Sequence, residues 1–374
     1  MDKEQQPILD HETPSLAPPA ASFASEAAST DSGLPPPAEV PEKSQPSLIH
    51  KMLFGDEGLR AGWSLCVYIA IVAVLMASFV FVAQKIHPVS RPAKGAQTRE
   101  AKPISPRATI FNEAAQFALV LLATWIMSRI EKRPNGVYGL GGVSKPQRFF
   151  SGLLWGILCL SLLILALTRT GHLAFDARLL SGTQVAKFAA LWALGFLFVG
   201  LLEEYLLRGY LQFTLARGFA GIYGAAFKRF GIEQHHRYAL GFWTAAMLLS
   251  FLFGFGHSSN PGESPIGVLS AGLAGFVFTY SLWRTGSLWW AFGFHASWDW
   301  GQSYLYGVAD SGMVTQGHLY ATHAVGKALL SGGTTGPEGS IYVLPTLALV
   351  AFIIYLTLRQ AQQPPAGARL QPPL

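Results

Sequence analysis

Long apolar runs separated by short polar segments dominate the chain after residue 50. A helix that crosses the hydrocarbon core of a bilayer needs about 20 apolar residues. Eight runs meet or approach this length, at about 61–83, 108–128, 149–167, 187–207, 239–257, 265–283, 287–307 and 341–358. The pattern predicts an all-α fold, a polytopic transmembrane bundle of about eight helices.

Composition supports a membrane protein. Hydrophobic residues make up 51% of the 374 residues and charged residues only 13%, whereas soluble domains have about 25% charged residues. The two cysteines, Cys66 and Cys159, lie within apolar runs. They therefore predict neither a disulfide framework nor a cysteine-rich metal site.

The domain organisation follows from changes in composition along the chain. Residues 1–50 are rich in Pro, Ala and Ser, contain two lysines and eight acidic residues, and show no apolar periodicity, which predicts a disordered acidic tail. Two transmembrane helices with a basic loop are expected in 51–148, the functional core in 149–358, and a short Pro-rich tail in 359–374.

Charge distribution indicates the partners and the orientation. After residue 50 the basic residues lie mostly between apolar runs, which favours contact with anionic lipid and predicts no nucleic-acid partner. Lys and Arg near helix ends are more numerous on the side of both termini, which predicts cytoplasmic termini, although the basic loop 84–107 argues the other way. The expected localisation is the plasma (inner) membrane of a bacterium, as a multi-pass protein.

The fourth run contains "LLEEYLLRGY", which places three ionisable residues in a membrane helix. Glu204 and Arg208 are four residues apart and can pair on one face, whereas Glu203 is rotated by about 100 degrees. One interpretation is an interface ion pair beside a solvent-reaching Glu203. Because charges within a membrane are costly and usually functional, a functional role is the favoured one.

Two further runs carry polar residues at helical spacing. Phe253 and His257 are four apart in "FLFGFGHSSN", and His295 and Asp299 are four apart in "FGFHASWDWG". Each pair therefore shares one helical face. Asn112 and Glu113, at the start of the second run, are interpreted as capping residues. The Gly-rich segment 308–340 is either an extramembrane linker or a lid over a site.

These three motifs, in this order on successive apolar helices, resemble the CAAX-processing and bacteriocin-processing (CPBP) family of intramembrane proteases. The family pattern is E-E-x-x-x-R, F-x-x-x-H and H-x-x-x-N/D, and the matching segments are "EEYLLR", "FGFGH" and "HASWD". The resemblance covers roughly residues 150–306, and "GPEG" near 336–339 is a looser likeness.

The resemblance implies a CAAX-type endopeptidase that hydrolyses membrane-associated proteins or peptides, in eukaryotes after a prenylated cysteine near the carboxyl terminus. It implies that Glu203 is the general base for a water that His257 helps to hold. His295 and Asp299 would line the position of the oxyanion. The better-known eukaryotic branch has Asn at the position of Asp299, so this carboxylate could instead orient His295 or bind a metal.

The resemblance also implies supporting roles for Glu204, Arg208 and Phe253, the first two bracing the helix. Metal dependence is open at this point. Glu203, His257, His295 and Asp299 could hold a zinc ion with water in an open position, but the helical HExxH signature is absent. A metal-free route, in which the glutamate acts directly on water, is favoured, and no cofactor is otherwise indicated.

Two other functions compete with proteolysis. A proton- or ion-coupled transporter would also bury ionisable groups, and a non-catalytic scaffold or immunity protein could retain the same pocket. Transporters often contain internal repeats, and none is visible in the sequence. Three ordered motifs therefore favour the intramembrane endopeptidase.

One geometric requirement follows. If the fourth helix ended near Leu207, Glu203 would lie roughly 20 Å from His257 along the membrane normal at 1.5 Å per residue. A shared site therefore requires a long fourth helix that continues through "GYLQFTLAR" toward Arg217.

Overall fold

The computed structural model describes residues 47–55, 58–86, 103–231 and 234–359. Its helices are α1 (Leu48–Leu53), α2 (Ala61–Ile86), α3 (Pro106–Ile130), α4 (Lys145–Arg169), α5 (Thr183–Tyr205), α6 (Gln212–Ala226), α7 (Gln234–His257), α8 (Pro265–Thr285), α9 (Trp289–Asp299), α10 (Ala328–Ser331) and α11 (Val343–Thr357). Its π-helical segments are Leu206–Leu211 and Trp300–Leu305, and its 3₁₀ turns are Asn135–Tyr138, Lys228–Phe230 and Pro337–Gly339. Its strands are β1 (Phe54–Gly55), β2 (Gly58–Leu59), β3 (Leu173–Arg178) and β4 (Tyr320–Ala324).

The predicted all-α bundle is confirmed, because helices dominate and the strands of the described residues form only two-stranded pairs. Within the described residues, 6 helices are long and apolar enough to cross a membrane. The last two predicted runs form shorter helices, α9 and α11. Six spanning helices make the chain an integral multi-pass membrane protein.

Helix α9 is short because it is an internal element. Nine of its 11 residues are buried, so its polar residues face other helices rather than lipid. It packs closely against α4, where Gly152 and Gly156 lie directly on its backbone and Gly293 lies on the backbone of α4. A side chain at any of these glycines would collide with the facing helix, so small residues set the close approach.

The fourth apolar run forms a long helix, as predicted. Residues Thr183–Ala226 form 44 residues of continuous helical structure that comprise α5, a π-helical segment and α6. At 1.5 Å per residue a straight helix of this length would reach about 66 Å, roughly twice the hydrocarbon thickness. The helix is kinked at Gly209, whose φ of −85° and ψ of −110° are not helical.

The packing of α7 along this long helix places the predicted site residues at one depth. Gly241 lies against the backbone of Ala216 and Ala220, and Arg208 lies over the ring of Phe253 at 4.5 Å. The two helices therefore run antiparallel, so residues that come later in α7 lie beside residues that come earlier in the long helix. His257, one turn beyond Phe253, is consequently level with the turn that precedes Arg208, which carries the glutamates.

The connection after α9 folds back on the bundle. β4 pairs antiparallel with β3, with a register shift between Phe175 and Ala177. The 3₁₀ turn Pro337–Gly339 is fixed to α8 where the Ser270 hydroxyl donates to the carbonyl of Glu338. Segment 308–340 was interpreted as either a free linker or a lid, and the structure agrees with the lid. We call this segment the cover.

The predicted tails lie largely outside the described residues. Residues 1–46 and 360–374 are not described, and residues 48–50 form the start of α1. The basic loop is described only up to residue 86 and from residue 103. The division of the chain into tails, N-terminal helices and core stays a prediction.

Candidate active site

Irregular helical turns follow both pairs of predicted site residues. Glu203 and Glu204 lie in the last turn of α5, directly before the π-helical segment Leu206–Leu211, and Asp299 ends α9 directly before the second one, Trp300–Leu305. Single π-helical turns are frequent at functional sites because they redirect side chains at the cost of regular hydrogen bonding. Both helices that carry the site carboxylates are therefore followed by a π-helical turn next to the site.

Glu204 is the structural centre of the site. Its side chain is fully buried, and its Oε1 atom accepts a hydrogen bond from Arg208 at 3.0 Å and contacts Nδ1 of His295 at 3.0 Å. The Arg208 guanidinium also lies over the ring of Phe253. Glu204 therefore joins the helix that carries Glu203 to the helix that carries His295.

His295 lies among three carboxylates. Besides the contact of its Nδ1 with Glu204, its Nε2 is 3.5 Å from Oδ2 of Asp299 and 3.7 Å from Oε2 of Glu203. The ring of Phe278 stacks on the imidazole with centroids 5.5 Å apart. A carboxylate only accepts hydrogen bonds, so the Nδ1–H of His295 has an acceptor in Glu204, whereas Nε2 approaches Asp299 and Glu203 without a hydrogen bond among the described residues.

His257 has a fixed tautomer when it is neutral. Its Nδ1 is 2.8 Å from the backbone carbonyl of Phe253, and a carbonyl can only accept, so Nδ1 carries the proton. In the neutral ring Nε2 then has a free lone pair. The imidazole packs edge-on against the ring of Phe253, with centroids 4.6 Å apart, so its orientation is set by its own helix.

A cavity of about 770 Å³ brings the predicted residues together. Its lining includes Glu203, His257, His295, Asp299 and Phe253. Glu204 and Arg208 are not in the lining; they are buried behind it, 0% and 1% exposed. Since the Glu203 side chain is 34% exposed and that of Glu204 is fully buried, only the first of the two glutamates can meet a substrate.

The cavity opens beside α3 and α7. Ala108 and Asn112 of α3 and Leu252 and Gly256 of α7 line it and are also exposed on the outer surface. Both helices are candidate membrane spans, so we expect an opening bordered by them to be reached from the membrane. A membrane-embedded segment could therefore reach the site laterally.

Three carboxylates of the lining were not predicted from the sequence. Glu113, Asp310 and Glu338 all line the cavity. The capping interpretation of Glu113 and Asn112 was wrong, because α3 begins at Pro106 with Ser105 as its N-cap. The "GPEG" likeness was the only sequence signal for Glu338, and Asp310 carried none.

Asp310 and Glu338 are held in place by neutral donors. Ser303 donates to Oδ2 of Asp310 at 3.0 Å, and Trp298 and Ser311 donate to Glu338 at 2.9 and 3.0 Å. Burial, together with the negative charges of Asp299 and Glu338, raises the pKa of Asp310 well above its usual value. This corner of the cavity therefore favours a proton or another positive charge.

The raised pKa of Asp310 predicts a pH-dependent contribution to stability. A group whose pKa is higher in the folded state contributes fully below its unfolded pKa of about 3.9, and loses the contribution as the pH rises through the folded pKa. We expect Asp310→Asn, which can still accept from Ser303, to become more stable relative to wild type as the pH rises from about 4, the unfolded pKa, toward the raised folded pKa. Thermal unfolding in detergent across this range measures the difference, and a constant difference would contradict the raised pKa.

The residues do not match a metal centre. Within the described part of the chain, no group of three or more His, Cys, Asp or Glu side chains could hold a metal ion.

The fold and the cavity define a polytopic membrane protein with a carboxylate–histidine site enclosed by its helices. Residues 185–301 match the family model described as Rce1-like, type II CAAX prenyl endopeptidase Rce1-like. The match confirms the resemblance predicted from the three motifs, and the matched segment contains all seven predicted site residues. At the level of the family it supports a protease that acts on membrane-associated proteins. No curated protein and no solved structure matches the chain.

Proposed function

We propose that this protein is an intramembrane endopeptidase in which Glu203 activates water for attack on a peptide bond. The observation that carries the proposal is the cavity between the helices, which holds a partly exposed glutamate, two histidines and an aspartate. The family match over the same segment supports it. The lateral opening beside α3 and α7 suits a substrate that arrives within the membrane.

In the proposed reaction Glu203 accepts a proton from water, and the water oxygen attacks the carbonyl carbon of the scissile bond. The free Nε2 lone pair of neutral His257 accepts a hydrogen bond from the same water and orients it. The negative charge that develops on the carbonyl oxygen is stabilised by the Nε2–H of His295 in its imidazolium form, since the Nδ1–H is held by Glu204. The proton held by Glu203 then passes to the amide nitrogen, the C–N bond breaks, and an amine and a carboxylic acid are released.

Glu204 and Arg208 act through His295 rather than on the substrate. Because Glu204 contacts Nδ1 of the imidazole, it fixes the plane of the ring and favours a proton on that nitrogen. Arg208 supplies the positive charge that compensates the buried carboxylate. Both residues therefore position the donor that meets the developing oxyanion.

We also propose that the reaction is metal-free and that the protein lies in a bacterial inner membrane with both termini in the cytoplasm. The absence of the helical HExxH signature from the sequence supports the first part. The excess of Lys and Arg on the side of the termini supports the second.

The first test compares protein termini by mass spectrometry in membranes of cells that express wild type, Glu203→Gln or Asp176→Asn. Asp176 is an exposed carboxylate on β3 that pairs with His323, so its variant is the matched control. We expect new termini with wild type and control, and a loss of at least about 100-fold with Glu203→Gln, since a general base typically contributes 10²–10⁴-fold. A chelator should leave these termini unchanged.

Identical termini in all three membranes, with folded and abundant protein in the native organism, would refute proteolysis. The ion-coupled carrier would then become the stronger explanation of the buried charges. Loss of the termini on chelation, restored by added zinc, would refute the metal-free route and leave the endopeptidase in place.

A further inference from the structure

The ionisable side chains that line the cavity are mainly acidic. Five carboxylates line it: Glu113, Glu203, Asp299, Asp310 and Glu338. Among the described residues, the lining contains no Lys or Arg, and its only other ionisable groups are two histidines. A cavity of about 770 Å³ lies within the range of ligand sites, about 300–1,000 Å³. It is therefore a large acidic chamber rather than a slot for a single water.

The arginine of the EExxxR motif is not available to a substrate. Arg208 is 1% exposed, donates to Glu204 and lies over Phe253. Its remaining space is closed by α8, where a side chain at Gly275 would collide with the guanidinium. A free carboxylate that entered the cavity would therefore meet other carboxylates and, among the described lining residues, no compensating arginine, which is electrostatically unfavourable.

In one corner of the chamber, the negative charge of the carboxylates is poorly compensated by positively charged groups. Asp299 is 5% exposed and lines the cavity, and within the described part of the chain its polar contact is the 3.5 Å approach to His295, with no hydrogen bond. The side-chain donors that hold Asp310 and Glu338 are hydroxyl and indole groups, which carry no charge. The elevated pKa of Asp310 is the expected consequence of this imbalance. A buried carboxylate is stabilised by a partner of opposite charge.

We propose that Asp310 and Glu338, beside Asp299, form a subsite for a basic side chain of the substrate. The protein then cleaves membrane segments that carry Lys or Arg close to the scissile bond. It prefers them to substrates in which only three residues and a free carboxyl terminus follow that bond. This inference rests on the proposed function, because the subsite belongs to the same cavity as Glu203. It distinguishes this chain from an endopeptidase whose substrate ends shortly after the cleaved bond.

Hydrogen bonding fixes the direction in which the subsite presents its charge. Trp298 holds one oxygen of Glu338 and Ser311 holds the other, so the carboxylate cannot swing away from the cavity without losing both. Ser311 is the next residue after Asp310, so one short stretch of the cover supplies an acidic group and the anchor of the second. Asp310 and Glu338 therefore add negative charge from the segment after α9 to that of the carboxylates on the helices.

The direct test measures binding without turnover. The Glu203→Gln protein is purified in detergent and titrated with fluorescent Leu–Ala peptides that differ at one central position, Lys, Gln or Glu, each with an amidated end. A fourth peptide has central Gln and a free carboxyl end. We expect the Lys peptide to bind at least about tenfold more tightly than the Gln peptide, and the Glu and free-carboxylate peptides to bind most weakly.

Removing the charges should remove the preference. In the same background, Asp310→Asn with Glu338→Gln keeps the hydrogen-bond acceptors, and we expect its affinities for the Lys and Gln peptides to be equal. Asp176→Asn, a carboxylate outside this cavity, should keep the full preference. Equal binding of all four peptides by the Glu203→Gln protein, or tighter binding of the free carboxylate, would overturn the subsite.

The cleavage products give an independent reading. Among the termini that depend on Glu203, we expect Lys or Arg near the cleaved bond, and the Asp310→Asn/Glu338→Gln protein should lose this enrichment. If Glu203-dependent termini exist but show no basic residues, the subsite is wrong and the endopeptidase stands. If the Lys peptide binds preferentially but no termini depend on Glu203, the proteolytic function is wrong and the cationic binding site stands.

Discussion

Replacing Arg208 by leucine is expected to destabilise the folded protein by about 3–5 kcal/mol, the usual cost of breaking a buried ion pair from one side. The variant leaves Glu204, whose side chain is fully buried, without its cationic partner at 3.0 Å. It also removes the stacking of the guanidinium on Phe253. Unfolding by a denaturing detergent in mixed micelles measures the loss as a free energy of unfolding.

A second variant separates charge from packing. Glu204→Gln combined with Arg208→Leu removes both charges, and we expect it to recover most of the stability, because neutral replacements of buried pairs are often close to neutral overall. Arg107→Leu, an exposed arginine in the first turn of α3, is the matched control and should change stability by less than about 0.5 kcal/mol. Equal stability of wild type and Arg208→Leu would show that the pair is not needed to compensate a buried charge.

The double variant also separates stability from catalysis. The amide side chain introduced by Glu204→Gln can still accept from His295, but it no longer carries the negative charge that favours a proton on Nδ1. We therefore expect a stable protein with reduced activity. This outcome would identify Glu204 as a positioning residue rather than a purely structural one, since a structural role alone would recover together with stability.

Local spacing predicted much of this site. Glu204 with Arg208, Phe253 with His257, and His295 with Asp299 are each four residues apart, and helix geometry places such pairs on one face. The structure contains a direct contact within each of these three pairs. Apolar run lengths likewise predicted the helices, because a bilayer imposes a minimum span.

Tertiary relations could not be predicted in the same way. The contact between Glu204 and His295 joins residues 91 positions apart, and no periodicity encodes it. Asp310 lies in the connection after α9 and Glu338 in a single 3₁₀ turn, where spacing carries little information about direction. Glu113 was assigned to capping because Asn112 and Glu113 were taken to open the second helix, whereas Pro106 opens it and Glu113 lies about two turns inside. An error in the position of a helix start changes the role given to a polar residue.

The seventh predicted apolar run, which forms the short helix α9, illustrates a different limit. An apolar run of about 20 residues was read as a span, but α9 is surrounded by protein and ends in a π-helical turn. Burial within a bundle and burial in lipid select similar side chains, so hydropathy alone does not distinguish them. The polar residues of this run were the better indicator, since they mark a helix that faces the interior.

His295 and Asp299 should respond very differently to substitution, although they share one helical face. His295→Ala removes the proposed oxyanion donor, and we expect kcat to fall by about 10²–10³-fold, as for the loss of one such donor elsewhere. Asp299→Asn should stay within about tenfold of wild type, because an amide oxygen can still accept from Nε2 of His295 and the amide group can itself donate. Single-turnover cleavage of a membrane protein whose new terminus depends on Glu203 provides the rate.

Asp299→Leu completes the comparison, since its side chain has a similar branched shape but can neither accept nor donate a hydrogen bond. We expect its rate to fall toward that of His295→Ala, with thermal unfolding in detergent confirming that the variant is folded. If Asp299→Asn instead loses as much activity as His295→Ala, the negative charge itself is required at this position. Asp299 would then act by holding His295 in its imidazolium form between carboxylates, and an asparagine at this position could not replace it in this protein.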